Sequence, residues 1–184
     1  METKASSSVK RFSYHLGWDQ LTRSDADDII AFWQREKALP EGDDGRARVS
    51  QVVFFARDSE GEIAAVSTAV PKLPPRLGQP VLYYRTYVAP AWRRTRLVYN
   101  LLRRSVNLLE QDAARHDYPC IGILIELENE RFGQMGRMPI WPKRAQFVYV
   151  GLSPRGLECR VYWFRKARLK PAPALARPQN AVSS

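Results

Sequence analysis

The sequence predicts a mixed α/β domain: one mixed, mostly antiparallel sheet with helices on both faces. Three observations carry this. The stretch from Val81 to Leu109 reads as strand, proline-marked turn and helix: VLYYRTYVAP is rich in β-branched and aromatic residues, and Leu97, Leu101, Leu102, Leu108 and Leu109 follow at helical spacing. Cys120 to Leu127 is an almost continuous apolar run, as expected of a strand buried on both faces. Two further segments pair around turn residues, Asp58-Ser59-Glu60-Gly61 and Ser153-Pro154-Arg155-Gly156, as hairpins do.

At 184 residues and 45% hydrophobic content, the chain fits a single domain with a sizeable core. Residues 1–10 are polar and serine-rich and read as a frayed N-terminus; residues 11–166 form the domain; residues 167–184 lack periodicity and read as a disordered tail.

In chain order, Phe12 to Leu16 is a short first strand. Ser24 is the expected N-cap of the first helix, with acids in its first turn; Ile29, Ile30 and Trp33 follow at helical spacing, and Trp33 reads as core. The helix ends before Pro40. Glu41 to Arg48 is a loop or short helix, Gln51 to Arg57 and Glu62 to Val70 form a hairpin, and Pro71 to Pro80 is a proline-stiffened loop. The Val81–Val88 strand and the helix ending near Arg115-His116-Asp117 come next, and the helix should cross to a parallel Cys120–Leu127 strand. Asn129 to Met138 reads as a short helix, followed by Ala145–Leu152 and Leu157–Phe164 as the last hairpin.

The net charge of +10 allows polyanionic partners or an acidic substrate. Arginine outnumbers lysine 22 to 7, and the basic residues are scattered, so base composition accounts for the excess as readily as a binding surface does. No nucleic-acid recognition pattern occurs; any nucleic-acid binding is expected to be without sequence specificity. Cys120 and Cys159, each in an apolar strand, read as buried thiols. The start METKASSSVKRF shows no apolar signal region, and no stretch has the length of a membrane span, which leads to a cytoplasmic expectation. His15 and His116 lack neighbours at ligand spacing, so no metal site is expected.

Arg93, Arg94 and Arg96 cluster where the long helix is expected to start, Arg94 to Arg115. Helix starts carry unpaired N–H groups and suit anions, whereas arginines there oppose the dipole. Either an anion binds or the turn is simply solvated. Glu126 and Glu128 end the apolar strand and share one face by period-two alternation. A carboxylate partly buried there is a candidate proton acceptor; the alternative is a structural hydrogen bond for Glu126 and a solvated Glu128.

The run Pro90-Ala91-Trp92-Arg93-Arg94-Thr95-Arg96-Leu97-Val98, with Leu101-Leu102 following, resembles the acyl-CoA-binding motif of the GNAT acyltransferase superfamily, Pro-x-x-Arg/Gln-x-x-Gly-x-Gly/Ala. Arg93 matches the basic position; Arg96 and Val98 stand at the two small positions. The element order matches the superfamily over roughly residues 10–165. The resemblance implies a splayed parallel strand pair and acetyl-CoA or another acyl-CoA as donor, with an amine as acceptor. It implies that backbone N–H groups of Tyr87, Val88 and Ala89 hold the acyl carbonyl. Arg93, Arg94, Thr95, Arg96, Leu97 and Val98 would then surround the pyrophosphate. Glu41 to Arg48 falls where the superfamily shapes its acceptor pocket. Asn129 matches the start of the superfamily's Asn-x-x-Ala-x-x-x-Tyr pattern, but Gly136 stands where its acidic tyrosine belongs, which leaves Tyr149 and Tyr162 as substitutes. The implied function is direct N-acyl transfer with Glu126 or Glu128 as base; the alternative is a GNAT-like fold kept as a binding or scaffold module. A homodimer is left open.

Overall fold

The structure is a computed structural model that describes residues 12–116, 119–128, 138–141 and 146–171. Seven strands form one sheet: β1 (Ser13–Leu16), β2 (Val52–Arg57), β3 (Ile63–Lys72), β4 (Val81–Val88), β5 (Gly122–Leu127), β6 (Val148–Leu152) and β7 (Glu158–Trp163). Their spatial order is β1-β2-β3-β4-β5-β7-β6. All neighbours pair antiparallel except β4 and β5, which pair parallel. Helix α1 (Arg23–Arg35) and the short α2 (Arg46–Val49) lie on one face; α3 (Leu97–His116) lies on the other. The mixed sheet with helices on both faces, expected from pattern, is the fold observed.

Pleat alternation sorts the core into these two layers. Ile29, Phe32 and Trp33 of α1 pack with Val52, Phe55, Ile63 and Val66. Val106 and Leu109 of α3 pack with Val53, Ala69, Leu82, Tyr84, Ile123 and Ile125, and Leu97 and Leu101 with Ala56, Ala64, Ala65 and Val88. Leu97, Leu101 and Leu109 are thus buried as their spacing predicts, and Leu102 packs at the margin.

Four local expectations shift. The N-cap of α1 is Thr22, not Ser24: its hydroxyl accepts from Asp25 N–H at 3.1 Å and donates to Asp25 Oδ2 at 2.6 Å, the same reciprocal logic two residues earlier. Strand β3 runs through Pro71 to Lys72 instead of stopping at Val70. Pro71 sits opposite Leu82, beyond the last β2 partner at Thr68, so its missing N–H falls on an edge already free of β2. The last hairpin's first strand begins at Val148, and Ala145 lies outside the described residues. The described chain also continues past the expected domain end at 166. There Lys170 exchanges two backbone hydrogen bonds with the Gln79 amide, at 2.8 and 3.0 Å. Residues 1–11 and 172–184 lie outside the described residues.

A partly exposed carboxylate–guanidinium group joins α1 to the sheet: Arg57 bonds Asp25 at 2.9 Å and Asp28 at 2.7 Å. The Thr22 hydroxyl, with Arg57, holds the Asp25 carboxyl below its ordinary 3.8. A depressed folded-state value means that Asp25 stabilises the fold fully above that pH, and that the contribution is lost as pH falls through the folded value. In acid melts Asp25→Asn should therefore be less pH-sensitive than the parent; an unchanged pH slope refutes the assignment. Leu101 is fully buried between α3 and the sheet, so Leu101→Ala should cost about 2–5 kcal/mol in chemical denaturation.

Candidate active site

The site is set by where β4 and β5 stop pairing. They are joined only by Leu82↔Ile123, Tyr83↔Leu124 and Tyr84↔Ile125. Beyond these, Arg85–Val88 stays with β3, while Glu126 and Leu127 pair with Cys159 and Glu158 of β7. The strands part, and a gap opens between their C-terminal ends.

Register decides which backbone groups face that gap. Ala89 N–H donates to Ala64 O at 2.9 Å, which makes this a hydrogen-bonded position of the β3–β4 ladder. By antiparallel alternation the Tyr87↔Val66 pair is also bonded, while Val88, opposite Ala65, turns its N–H and C=O away from β3 and toward the gap. Of the three backbone donors considered from sequence, Tyr87 and Ala89 are engaged within the sheet. Val88 alone points its N–H into the opening.

The three arginines also separate. Pro90–Trp92 forms a single 3₁₀ turn, and α3 begins at Leu97 rather than Arg94. The reason is local: the Thr95 hydroxyl donates to Trp92 O at 2.7 Å and accepts Leu97 N–H at 3.3 Å, so the chain turns once more before the helix. Arg93 folds back on the strand. Its Nε donates to Val88 O at 3.2 Å, and its guanidinium lies 5.7 Å from the centre of the Tyr87 ring. The Tyr87 hydroxyl in turn donates to Glu36 O of the α1 cap at 3.1 Å. Arg94 and Arg96 are exposed and form no ion pair among the described residues. Val98 is half-buried, with the helix backbone rather than its side chain at the turn.

On the α1 face of the gap, β4 presents Tyr83, Arg85 and Tyr87, and β5 presents Leu124 and Glu126, with Glu128 just past its end. The two carboxylates do come together, but not as free groups. Arg155, at the tip of the β6–β7 hairpin, bonds Glu126 and, at 3.1 Å, Glu128 through the same nitrogen. These partners push its guanidinium pKa up. Glu126 is thus both largely buried, its side chain 15% exposed, and ion-paired, and Glu128, 59% exposed, shares the same partner. Arg155 was read from sequence only as a turn residue. A cation in a hairpin has no sequence signal for the strand it will reach. Burial, and then the Glu126 charge, push the Tyr83 hydroxyl up.

The substitute tyrosines lie elsewhere. Tyr162 faces α3, where its hydroxyl donates to Glu110 at 3.0 Å, and Tyr149 is exposed on the edge strand β6. Asn129 and Gly136 lie outside the described residues.

Because Glu126 adds to the rise at Tyr83, Glu126→Gln should lower the Tyr83 pKa while burial keeps it above the ordinary 10.0. NMR titration of tyrosine labelled at the hydroxyl-bearing carbon measures this, with Tyr83→Phe assigning the signal. An unmoved value would separate the two groups.

No protein-family model and no curated protein matches the chain. Solved structures do. It is similar to an acetyltransferase of the GNAT family from Streptococcus pneumoniae, with TM-score 0.57 and 11% identity over 84% of this chain and 99% of that one. It is similar to Arabidopsis thaliana NAA60 in complex with a bisubstrate analogue, with TM-score 0.53 and 12% identity over 85% and 100% of the chains. A third is AtaTR bound with AcCoA, at TM-score 0.50 and 10% identity over 83% and 93%. With seven strands in this order and a single parallel pair that parts at its C-terminal end, the chain has the fold of the GNAT superfamily.

Proposed function

We propose that the protein is an acyl-CoA-dependent N-acyltransferase that moves an acyl group directly from the thioester to an amine. One observation carries the reading: the gap between β4 and β5 holds an inward Val88 N–H and opens beside a turn with two exposed arginines, Arg94 and Arg96, that form no ion pair among the described residues. The similar structures with AcCoA or a bisubstrate analogue bound support it. Two buried, free cysteines fit a reducing compartment such as the cytoplasm.

The residues present suit an acyl-CoA donor. The backbone N–H groups of Arg94, Arg96 and Val98 and the Arg94 and Arg96 guanidiniums supply donors and charge for a pyrophosphate. Arg96 and Val98, at the family's small positions, leave this backbone role intact because neither side chain occupies the turn's hydrogen bonds. Thr95 N–H, given to Trp92 O at 3.0 Å, and Leu97 N–H, given to the Thr95 hydroxyl at 3.3 Å, are already used within the turn. Arg93 acts through Val88 and not on phosphate. It satisfies the Val88 carbonyl, one peptide on from the N–H that meets developing negative charge on the acyl oxygen, and so steadies the chain at that residue. Acyl-CoA supplies an activated carbonyl and a thiolate leaving group. Glu126, held in place by Arg155, accepts the proton that the attacking amine must lose, directly or through a water, with Glu128 beside it. A second reading, a binding module without chemistry, is favoured by that same ion pair, since Arg155 occupies the carboxylate on which base catalysis depends.

Binding is tested first. Acetyl-CoA and longer acyl-CoAs should raise the melting temperature at saturating concentration, and reversing Arg94 and Arg96 to glutamate should abolish the rise. No shift up to millimolar ligand removes the donor assignment. Chemistry is tested second. Glu126→Gln should keep fold and donor binding while the rate falls about 10²–10⁴-fold. A rate within a few-fold of the parent excludes Glu126 as base.

A further inference from the structure

Resting on the acyltransferase reading, a second question is what the acceptor carries besides its amine. The α1 face of the gap holds a guanidinium that neither the donor nor the base needs. Arg85 stands on the splayed part of β4, between Tyr83 and Tyr87, and is half-exposed at 47%. It makes no hydrogen bond among the described residues. Its nearest carboxylate oxygen, on Glu128, is 4.0 Å away, the outer limit of an ion pair, and Glu128 is already bonded to Arg155 at 3.1 Å. Its guanidinium carries five donors, none of them used in a hydrogen bond among the described residues.

A second guanidinium faces the same space from α2. Arg48 is half-buried, stacked 4.9 Å from the Trp33 ring, with one nitrogen donating to Ala38 O at 3.1 Å. Burial and then repulsion by Arg85 push its pKa down, while Asp43, Glu128 and Tyr83 oppose that. Asp43 is directed elsewhere, accepting Gly45 N–H at 2.8 Å. Two guanidiniums on the α1 face, one of them making no hydrogen bond among the described residues, form a binding place for a planar anion. The carboxylates Glu126 and Glu128 lie on the other strand of the same face. Anion-binding and cation-binding groups therefore border one opening and approach each other most closely at Arg85 and Glu128.

We propose that Arg85, supported by Arg48, binds a carboxylate of the acceptor while Glu126 and Glu128 receive its ammonium, so that the substrate class is a free amino acid rather than a simple amine or a polyamine. An arginine fork pairs a carboxylate bidentately, which also fixes the direction from which the amine enters.

The test is a thiol-release assay with saturating acetyl-CoA and a panel of free L-amino acids, the corresponding amino-acid amides, and spermidine. Amino acids should exceed their amides at least tenfold in kcat/KM. Arg85→Gln should raise KM for the amino acid at least tenfold with a smaller change in kcat, and should erase the preference. Arg85→Lys, a point charge without the fork, should restore part of it. The exposed position of Arg85 makes misfolding a minor concern, and an unchanged melting curve checks it. Equal use of amides, a preference for spermidine, or an Arg85→Gln variant with the parent's KM overturns the proposal. So does release of no thiol with any panel member by a protein whose melting temperature acetyl-CoA raises. The absence of any acetyl-CoA shift instead removes the acyltransferase reading itself.

Discussion

Three residue pairs between β4 and β5 are the constraint on which the rest of the molecule depends. They are few because the two strands answer to different neighbours. Strand β4 is tied to β3 along its whole length, from Val81 to Val88, whereas β5 is tied to β7 as far as Leu127. Each side keeps its own direction past Tyr84 and Ile125, and the sheet divides. A gap lined by backbone results without any side chain being removed to make it. Helix α3 then closes one face of the sheet beneath it, with Leu97 and Leu101 packed under Val88.

Around this gap the cations divide by what they bond. Arg93 and Arg155 are committed within the chain, one to the Val88 carbonyl and the other to two carboxylates. Arg94 and Arg96 have no ionic partner among the described residues, and Arg85 only a distant one. A net charge of +10 says nothing about this division. A guanidinium aimed at a carbonyl or carboxylate behaves as a structural strut, because its donors are already used. One with open donors beside a cleft is where an anion gains most. Arg85, Arg94 and Arg96 belong to the second kind.

Polar satisfaction within the core follows the same economy. At the β2 irregularity near Phe54, the Ser67 hydroxyl both accepts from Phe54 N–H and donates to Phe54 O, replacing a backbone pair that the bulge breaks. Ser105 of α3 meets it at 3.4 Å, so a polar seam runs beneath the helix. Thr86, at the start of the splayed segment on that side, places its buried hydroxyl beside Tyr84, next to where β5 has left the ladder.

The sequence by itself determined the elements and the order in which they come. Hydrophobic period, proline stops and turn residues are local signals, and they placed β4 to its ends at Val81 and Val88 and buried Trp33, Leu97, Leu101 and Leu109. They also put Val88 at the end of β4 and Glu126 near the end of β5. Direction and partnership were decided only by the tertiary structure. Whether Tyr87, Val88 or Ala89 offers its N–H depends on the β3 register, which no local pattern encodes. Whether Arg93 meets an anion or a carbonyl depends on the extra turn that Thr95 stabilises. Arg155 is 29 residues from Glu126 in the chain, and Arg48 is far from Arg85. Each reaches its neighbour only because the strands and helices between them pack as they do. Local chemistry writes the elements, but a site is made of contacts between distant ones, and those exist only once the chain has folded.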